Sequence, residues 1–281
     1  MGLYLRPQTL PDALSALAAG RYTILSGATD HFPARVLATP AEDILDIGAI
    51  AELDTIRLDA EGIWIPARAT WRAVIDAGLP ASAAALVAAA RQIGGQQVQN
   101  TATVVGNLCN ASPAADGIPP LLALDAEVEL ARLGGRRRMK VADFVLGNRR
   151  TARAPDELVL GVHIPLPARP GSSVFEKLGA RAYLVISIVA VAVSAEFLPD
   201  RRIAALRVAV GACSPRAMRL PALEAALAGL LPDPALVSED HLAPLSPIDD
   251  VRASAAYRRA ATLVLLRRAI ARLLVPEARA A

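Results

Sequence analysis

The sequence predicts an α+β fold made of two domains. Short helical and strand patterns alternate through the first half, whereas the second half has three extended apolar segments followed by helical sequence. Residues 165–172, between the two halves, are rich in Pro, Arg, Gly and Ser, which is typical of a domain boundary. We therefore predict one domain over residues 1–168 and a second over residues 171–281.

The first half opens with a predicted helix that Thr9 caps, with Pro11 in its first turn and Gly20 just past its end. Helical sequence returns at Thr70 and ends at Gly94. Apolar runs bounded by turn residues predict four strands in this part of the chain, at residues 22–25, 44–47, 53–58 and 62–66. The last two strands are expected to form a hairpin.

The segment from residue 96 to residue 120 has no hydrophobic periodicity, and small or polar residues dominate it. We expect a long loop here, and loops of this length inside a compact domain are uncommon unless they are functional. After it, residues 121–126 are predicted as helix, and two strands, 128–133 and 139–144, are predicted around Gly134.

The second half predicts an antiparallel sheet of three strands, at residues 174–178, 186–197 and 203–212. Two helices follow, at residues 221–228 and 251–274. Apolar residues of the last helix form one stripe, made of Leu263, Leu266, Ile270, Leu273 and Leu274. This arrangement predicts a smaller α+β domain.

The composition excludes several classes of protein. With 281 residues, 54% of them hydrophobic and 20% charged, the chain can bury a substantial core. The net charge of +3 is small for this length and does not indicate a nucleic-acid-binding protein. The longest apolar run, residues 183–195, is shorter than the roughly 20 residues that a membrane span needs. No secretory signal is visible at the N-terminus, so we expect a cytoplasmic protein.

Metal chemistry is not expected in this chain. Two cysteines, Cys109 and Cys213, cannot supply the four thiolates of an ordinary iron–sulfur cluster. The three histidines, His31, His163 and His241, have no metal-binding spacing. We expect two buried free thiols and assign no metal ligand and no catalytic residue.

The first candidate site is the strand-to-loop segment 25–30, which contains Gly27 and Thr29. Small residues let backbone N–H groups converge on an anion, as a phosphate-binding nest requires, and Thr29 offers a hydroxyl donor. The segment has neither a Rossmann nor a P-loop pattern. A purely structural turn after a strand is the alternative interpretation.

The second candidate is the segment 100–107, followed by residues 111–116. It offers small residues, hydroxyls and amides, and then the Asp116 carboxylate, which suits ribose or ribityl hydroxyls. Two such loops in one domain fit a ligand that carries a pyrophosphate. An Asn-, Ser- and Thr-rich connection with self-capping side chains is the alternative.

In order and spacing, the two candidate segments resemble the FAD-binding subunit, or medium chain, of molybdenum hydroxylases, the xanthine dehydrogenase and carbon monoxide dehydrogenase family. The segments that carry this resemblance are LSGATDHFP and QNTATVVGNLCNASPAADGIPPLLALDA. The later Phe175-Glu176-Lys177, followed by Arg181 and an apolar strand, agrees with this resemblance. It implies a two-subdomain, non-Rossmann FAD-binding domain of the PCMH type and the family's smaller C-terminal domain.

The resemblance implies an FAD site made of two loops and four further residues. The implied cofactor-binding residues are Leu25, Ser26, Gly27, Ala28, Thr29, Asp30 and His31 in the first loop, Thr103, Val104, Val105, Gly106 and Asn107 in the second, and Asp116, Val159, Lys177 and Tyr183 elsewhere. Where the family usually has a Gly-Gly pair in each loop, this chain has Gly27-Ala28 and Val105-Gly106. A side chain obstructs such a loop where φ is positive or phosphate lies close, and we expect the larger effect at Val105.

Lys177 and Tyr183 carry arguments of their own. Only two of the thirty basic residues are lysines, and a compact ammonium is not interchangeable with a guanidinium beside a flavin, which favours a functional Lys177 over chance retention. The other lysine, Lys140, follows three arginines and is expected on a solvated strand edge. Tyr183 either shields one face of the isoalloxazine ring or packs at the head of the next strand. His31 has no acid or base partner in the sequence, so it receives no proton-transfer role.

The favoured hypothesis is an FAD subunit that passes electrons from [2Fe–2S] clusters on a small partner subunit to an external acceptor. The resemblance implies a large partner subunit that holds the molybdopterin cofactor, and a dimer of heterotrimers. A stand-alone FAD oxidoreductase is the first alternative. The second is a basic module that binds nucleic acid or an acidic partner through Arg136, Arg137, Arg138, Arg149, Arg150 and the terminal helix.

Overall fold

The computed structural model describes residues 2–35 and 42–274, and it has the predicted α+β architecture in two parts. Within the described residues, the first part contains seven α-helices: α1 (Leu10–Ala19), α2 (Trp71–Asp76), α3 (Ala84–Gln92), α4 (Gln96–Gln99), α5 (Val104–Asn110), α6 (Ile118–Ala123) and α7 (Val141–Phe144). Its strands are β1 (Tyr4–Leu5), β2 (Thr23–Leu25), β3 (Ile44–Asp46), β4 (Arg57–Leu58), β5 (Gly62–Pro66), β6 (Glu127–Arg132), β7 (Gly135–Lys140), β8 (Val145–Gly147), β9 (Arg150–Thr151) and β10 (Leu158–Pro165).

The strands of the first part form two sheets and a small ribbon. Strands β1, β3 and β2 form a parallel sheet in that order, and β4, β5, β10, β6 and β7 form an antiparallel sheet in that order. Strands β8 and β9 pair as the ribbon. Helix α1 begins as predicted, because the Thr9 side chain accepts a hydrogen bond from the Asp12 N–H.

The second part contains β11 (Gly171–Leu178), β12 (Val189–Phe197), β13 (Ile203–Gly211), β14 (Met218–Arg219), α8 (Pro221–Leu227) and α9 (Ala255–Arg272). The three predicted antiparallel strands are confirmed, and β14 adds a short fourth strand at the edge of β13. The apolar run that we predicted as strand from residue 186 starts later. Tyr183, Leu184 and Ile186 are exposed and precede β12.

Strand β12 is buried along its whole length, and its two faces belong to the cores of the two parts. Two of its alanines, Ala190 and Ala192, belong to the core of the first part, and contacts to helices α3 and α6 run through this face. The alternating Val191 and Val193 belong to the second core, against α9. Small residues on one face let the helices approach the sheet closely, so the two cores share one sheet.

Several sequence expectations need correction, among them the strand predicted at residues 139–144, because β7 ends at Lys140 and residues 141–144 form α7. The segment 96–120 is not a loop but contains α4, α5 and α6, which are too short to show a helical apolar stripe. Pro119 and Pro120 lie in the first turn of α6, where the backbone N–H groups of a helix need no intrahelical partners. The central strand β10 was not predicted. In α9 the buried stripe includes Leu265, whereas Leu274 is exposed.

The described residues contain neither a membrane-spanning helix nor a cluster of metal ligands. None of the helices there is long and apolar enough to cross a bilayer. Within residues 2–35 and 42–274, no group of three or more His, Cys, Asp or Glu side chains is arranged to hold a metal ion. Both cysteines are free thiols, Cys213 buried and Cys109 half-buried.

Candidate functional site

The two predicted loops meet directly in the structure. The first loop leaves the end of β2, and a Cβ added to Gly27 would lie 2.1 Å from the carbonyl oxygen of Thr101. That oxygen belongs to backbone, so no side-chain rotation relieves the overlap. Glycine at position 27 is therefore required by the close approach of the two loops.

The second loop is fastened to the start of α2. The Thr103 side chain caps α5 and accepts a hydrogen bond of 3.0 Å from the Gly106 N–H. The Trp71 N–H donates to the Ala102 carbonyl at 3.1 Å, and Thr70 pairs with Thr103 in an isolated β-bridge. Pairs of residues that lie 31 and 33 positions apart in the sequence thus fix the course of this loop.

A cleft of about 1360 Å³ lies between the loops. Twelve of the sixteen predicted residues line it: Leu25, Ser26, Gly27, Ala28, Thr29, Asp30, His31, Thr103, Val105, Gly106, Asn107 and Val159. This volume exceeds the ~300–1,000 Å³ of an ordinary small-molecule pocket and suits an extended dinucleotide. A second cavity, of about 930 Å³, lies around β11 and the β12–β13 turn and contains none of the predicted residues.

Arginines give the cleft positive charge. Arg35, Arg149 and Arg153 line it, and the Arg149 guanidinium lies 3.3 Å from Asp30 Oδ2 and donates to Asn110 Oδ1 at 3.1 Å. Guanidinium groups match phosphate oxygens in geometry and charge. The sequence suggests a role for Arg149 only in the basic-module alternative, because its place beside the first loop depends on the turn between β8 and β9.

The cleft also contains buried polar atoms that have no protein partner. Trp71 Nε1 and Asn107 Oδ1 are buried without a hydrogen bond, and both side chains line the cleft. Nearly all buried polar groups in native proteins are paired, so an unpaired donor and acceptor in a cleft fit a ligand that is rich in oxygen atoms. The residues present therefore fit a dinucleotide cofactor.

Four predicted residues do not line the cleft. Val104 is buried in the core, and Tyr183 is 71% exposed. Asp116 and Lys177 form a buried ion pair with 2.6 Å between Asp116 Oδ2 and Lys177 Nζ. The Ser187 hydroxyl donates to Asp116 as well. Direct contact of these four residues with a cofactor stays a prediction.

The Asp116–Lys177 pair joins the two parts of the chain. Besides the carboxylate, Lys177 Nζ donates to the carbonyls of Val185 at 2.9 Å and Gln92 at 3.3 Å, so its three N–H groups are all occupied. Burial raises the pKa of the Asp116 carboxyl, while Lys177 and Ser187 act in the opposite direction. Val185 is followed by Ile186, which lines the cleft. By binding the Val185 carbonyl, the Asp116–Lys177 ion pair therefore holds this wall of the cleft in place.

The two departures from the family pattern differ in their backbone. Ala28 has φ of +53°, in the left-handed region that favours glycine, whereas Val105 lies in α5 with helical backbone and is buried. By backbone conformation Val105 is unstrained, and its larger expected effect on cofactor binding stays a prediction. The strain lies at Ala28.

His31 lies at the edge of the first loop, beside a second acidic group. Its Nε2 is 3.2 Å from Glu42 Oε1, and Arg35 also contacts the Glu42 carboxylate. The hydrogen bond from Arg35 is the main reason that the pKa of Glu42 is lowered to about 2. This contact links the first loop to the sequence just before β3.

The loops, the charged cleft and the unpaired polar atoms together define a protein that binds a nucleotide cofactor without a Rossmann motif. Residues 1–167 match a family model described as the FAD binding domain in molybdopterin dehydrogenase, and residues 175–273 match one described as the CO dehydrogenase flavoprotein C-terminal domain. The chain belongs to this family of FAD-binding dehydrogenase subunits. It is an oxidoreductase component whose cofactor is FAD.

Individual relatives agree with this assignment. A nicotinate dehydrogenase FAD-subunit of Eubacterium barkeri is 37% identical over 150 residues, which are 52% of this chain and 51% of that protein. A putative xanthine dehydrogenase FAD-binding subunit of Escherichia coli strain K12 is 30% identical over 91% of this chain and 90% of the relative. A chain of reconstituted CO dehydrogenase from Oligotropha carboxidovorans superposes with a TM-score of 0.88 at 26% identity, with 97% of each chain covered.

Proposed function

We propose that this chain is the electron-transfer subunit of a heteromeric molybdenum hydroxylase, in which it receives electrons from [2Fe–2S] clusters on a partner subunit and passes them to an external acceptor through FAD. The observation that carries the proposal is the convergence of twelve predicted residues on one cleft of dinucleotide size. The family relationship supports the division of work between subunits.

In this proposal the protein binds and orients, whereas FAD supplies the redox chemistry. The two loops hold the cofactor between them, and the Gly27–Thr101 contact fixes their separation. Arg149 and Arg153 compensate the charge of the pyrophosphate. The Asp116–Lys177 pair positions the wall that contains Ile186.

The partners follow from the same proposal. A large subunit with the molybdopterin cofactor and a small subunit with the iron–sulfur clusters complete the complex, as a dimer of heterotrimers. The relatives' names describe FAD subunits and a medium chain of dehydrogenases, which supports a multi-subunit enzyme. The dimer and the cytoplasmic location stay predictions.

The basic-module alternative loses its main support. Arg136 and Arg138 each bind Glu129, at 3.3 and 2.8 Å, and Arg137 binds Glu157 through both carboxylate oxygens. These arginines are therefore largely neutralised within the antiparallel sheet rather than available to phosphate.

Co-purification tests the proposal. The chain is expressed alone and together with the genes that adjoin it, and the visible spectrum, the released cofactor and the molybdenum and iron contents are measured. We expect FAD in both preparations, and molybdenum and iron only in the complex. FAD without either metal in the co-purified material would favour a stand-alone oxidoreductase, and no flavin under either condition would refute the proposal.

A further inference from the structure

Residues 184–187, which we call the wall segment, form part of the cleft without belonging to a helix or strand. Ile186 of this segment lines the cleft and is 63% exposed, so a bound cofactor can cover its side chain. Among the backbone-to-backbone hydrogen bonds within residues 2–35 and 42–274, none involves residues 179–187. The shape of the wall segment therefore depends on bonds from side chains.

Two cationic side chains that precede the wall segment bind its first two carbonyls. Arg181 Nε donates to the Leu184 carbonyl at 3.0 Å. Lys177 Nζ donates to the Val185 carbonyl at 2.9 Å. Leu184 has φ of +54°, in the left-handed region that an L-residue adopts only at a cost. These donors offset that cost and hold the segment at the cleft.

A third cationic donor comes from the second part of the chain. Arg252 Nη1 donates to the Ser187 carbonyl at 3.1 Å, across 65 positions of the sequence. The other side of the guanidinium is bound to Asp250, with Nε 3.0 Å and Nη2 2.5 Å from Oδ2. The same carboxylate accepts a hydrogen bond of 2.7 Å from the buried Arg258. Arg252 is thus itself fixed in orientation, as a support for a binding site must be.

We propose that Arg252 is a positioning residue of the FAD site, which keeps Ile186 in the cleft wall by holding the Ser187 carbonyl. The proposal rests on the FAD-binding function argued above. Arg252 does not line the cleft, so it acts through the wall segment rather than by contact with the cofactor. Apart from Ile186, the residues that line the cleft belong to the first part of the chain, and Arg252 makes the second part a contributor to the site.

Arg216 provides a matched control. Its guanidinium donates to the carbonyls of Ala142 and Val145 at 3.0 and 2.8 Å, so it also joins the second part to the first through backbone acceptors. None of these three residues lines the cleft. Arg216→Ala therefore removes comparable bonds between the two parts and leaves the wall segment in place.

FAD titrations of the full-length chain, at a temperature well below the melting transition of every variant, test the proposal. We expect Arg252→Ala to bind FAD about tenfold more weakly than the wild type. This factor corresponds to about 1.4 kcal/mol, near the lower end of what a hydrogen bond from a charged group contributes. Arg216→Ala should bind FAD as the wild type does. A loss of stability alone would lower both melting temperatures without separating the two affinities.

A double-variant cycle separates positioning from a general effect on the fold. Ile186→Ala removes the side chain that lines the cleft, and the variant should fold because this side chain is exposed. Arg252 then has no side chain left to position, so adding Arg252→Ala should weaken FAD binding by less than about twofold more. If the two effects multiply instead, Arg252 does not act through Ile186, and the proposal is overturned.

The other failures can be told apart. If the wild-type chain binds no FAD, the proposed function is refuted, and this inference falls with it. If the wild type binds FAD and Arg252→Ala binds it equally well, or no worse than Arg216→Ala does, the inference alone is refuted and the FAD site stands. If Arg252→Ala does not fold, Arg252→Met replaces it with the same expected outcomes, because methionine keeps an aliphatic stem and has no N–H donor in its side chain.

Discussion

Ala28→Gly should stabilise the protein, because the structure places an alanine where the backbone favours glycine. At φ of +53° an L-residue costs about 1–2 kcal/mol relative to a right-handed conformation. Glycine removes this cost but gives the unfolded chain more freedom, which costs about 0.4–1 kcal/mol. The midpoints of these two ranges differ by about 0.8 kcal/mol, which is the expected net gain in the free energy of unfolding.

For a protein of this size, that gain raises the melting temperature by about 1–4 °C. Thermal unfolding followed by circular dichroism measures it. Val105→Gly is the matched comparison, because it changes the corresponding position of the second loop. It removes a buried side chain from helical backbone and should lower the free energy of unfolding by about 2 kcal/mol.

The two glycine substitutions are thus expected to act in opposite directions, although both restore the family pattern. Ala28→Gly with an unchanged or lower melting temperature would refute the strain at position 28. Val105→Gly with a higher one would show that the valine obstructs its loop after all. Repeating both melts with excess FAD separates effects on the fold from effects on cofactor binding.

Three further predictions concern the cleft and the second part. Gly27→Ala should abolish FAD retention, because its Cβ overlaps the Thr101 carbonyl; absorbance at about 450 nm checks it, and normal retention would contradict it. Burial raises the pKa of Cys109 to about 11, so alkylation by iodoacetamide should accelerate about tenfold per pH unit between pH 7 and 10, with Cys109→Ser as control. A hydrogen bond from Arg252 lowers the pKa of Asp250, so this carboxylate stabilises the fold above about pH 4 and loses that effect as the pH falls. The Asp250→Asn variant should have a lower melting temperature than the wild type at pH 7. Its melting temperature should also fall less steeply than that of the wild type between pH 5 and pH 3.

Sequence reasoning succeeded where the signal is local. Thr9 and Thr70 mark the starts of α1 and α2, because a side-chain cap acts within one helical turn. Gly134 marks the turn between β6 and β7, because a hairpin turn is likewise determined by residues that are adjacent in the sequence. Strand β10 was missed because its long apolar run is interrupted by Gly161, and its central place depends on pairing with β5 and β6, far away in the sequence.

The loops of the site were predictable, whereas their neighbours were not. Small residues and hydroxyls suit a loop that approaches phosphate, so composition makes segments 25–30 and 100–107 candidates, and the family resemblance implies which residues in them bind the cofactor. Trp71 and Arg149 join them only through tertiary pairing. A β-bridge brings Trp71 to the second loop, and the Arg149 N–H bound to the Ala111 carbonyl brings that arginine to the first. No spacing in the sequence encodes either contact.

Lys177 has a structural role in addition to the flavin contact that the family resemblance implies. The scarcity of lysine implies that position 177 needs an ammonium, and the structure supplies a reason that does not involve the flavin. Three acceptors, from Asp116, Gln92 and Val185, surround Nζ, which suits three tetrahedral donors better than a planar guanidinium. Since Val185 precedes Ile186 in the cleft wall, this ammonium shapes the cofactor site from behind even if it never contacts the cofactor.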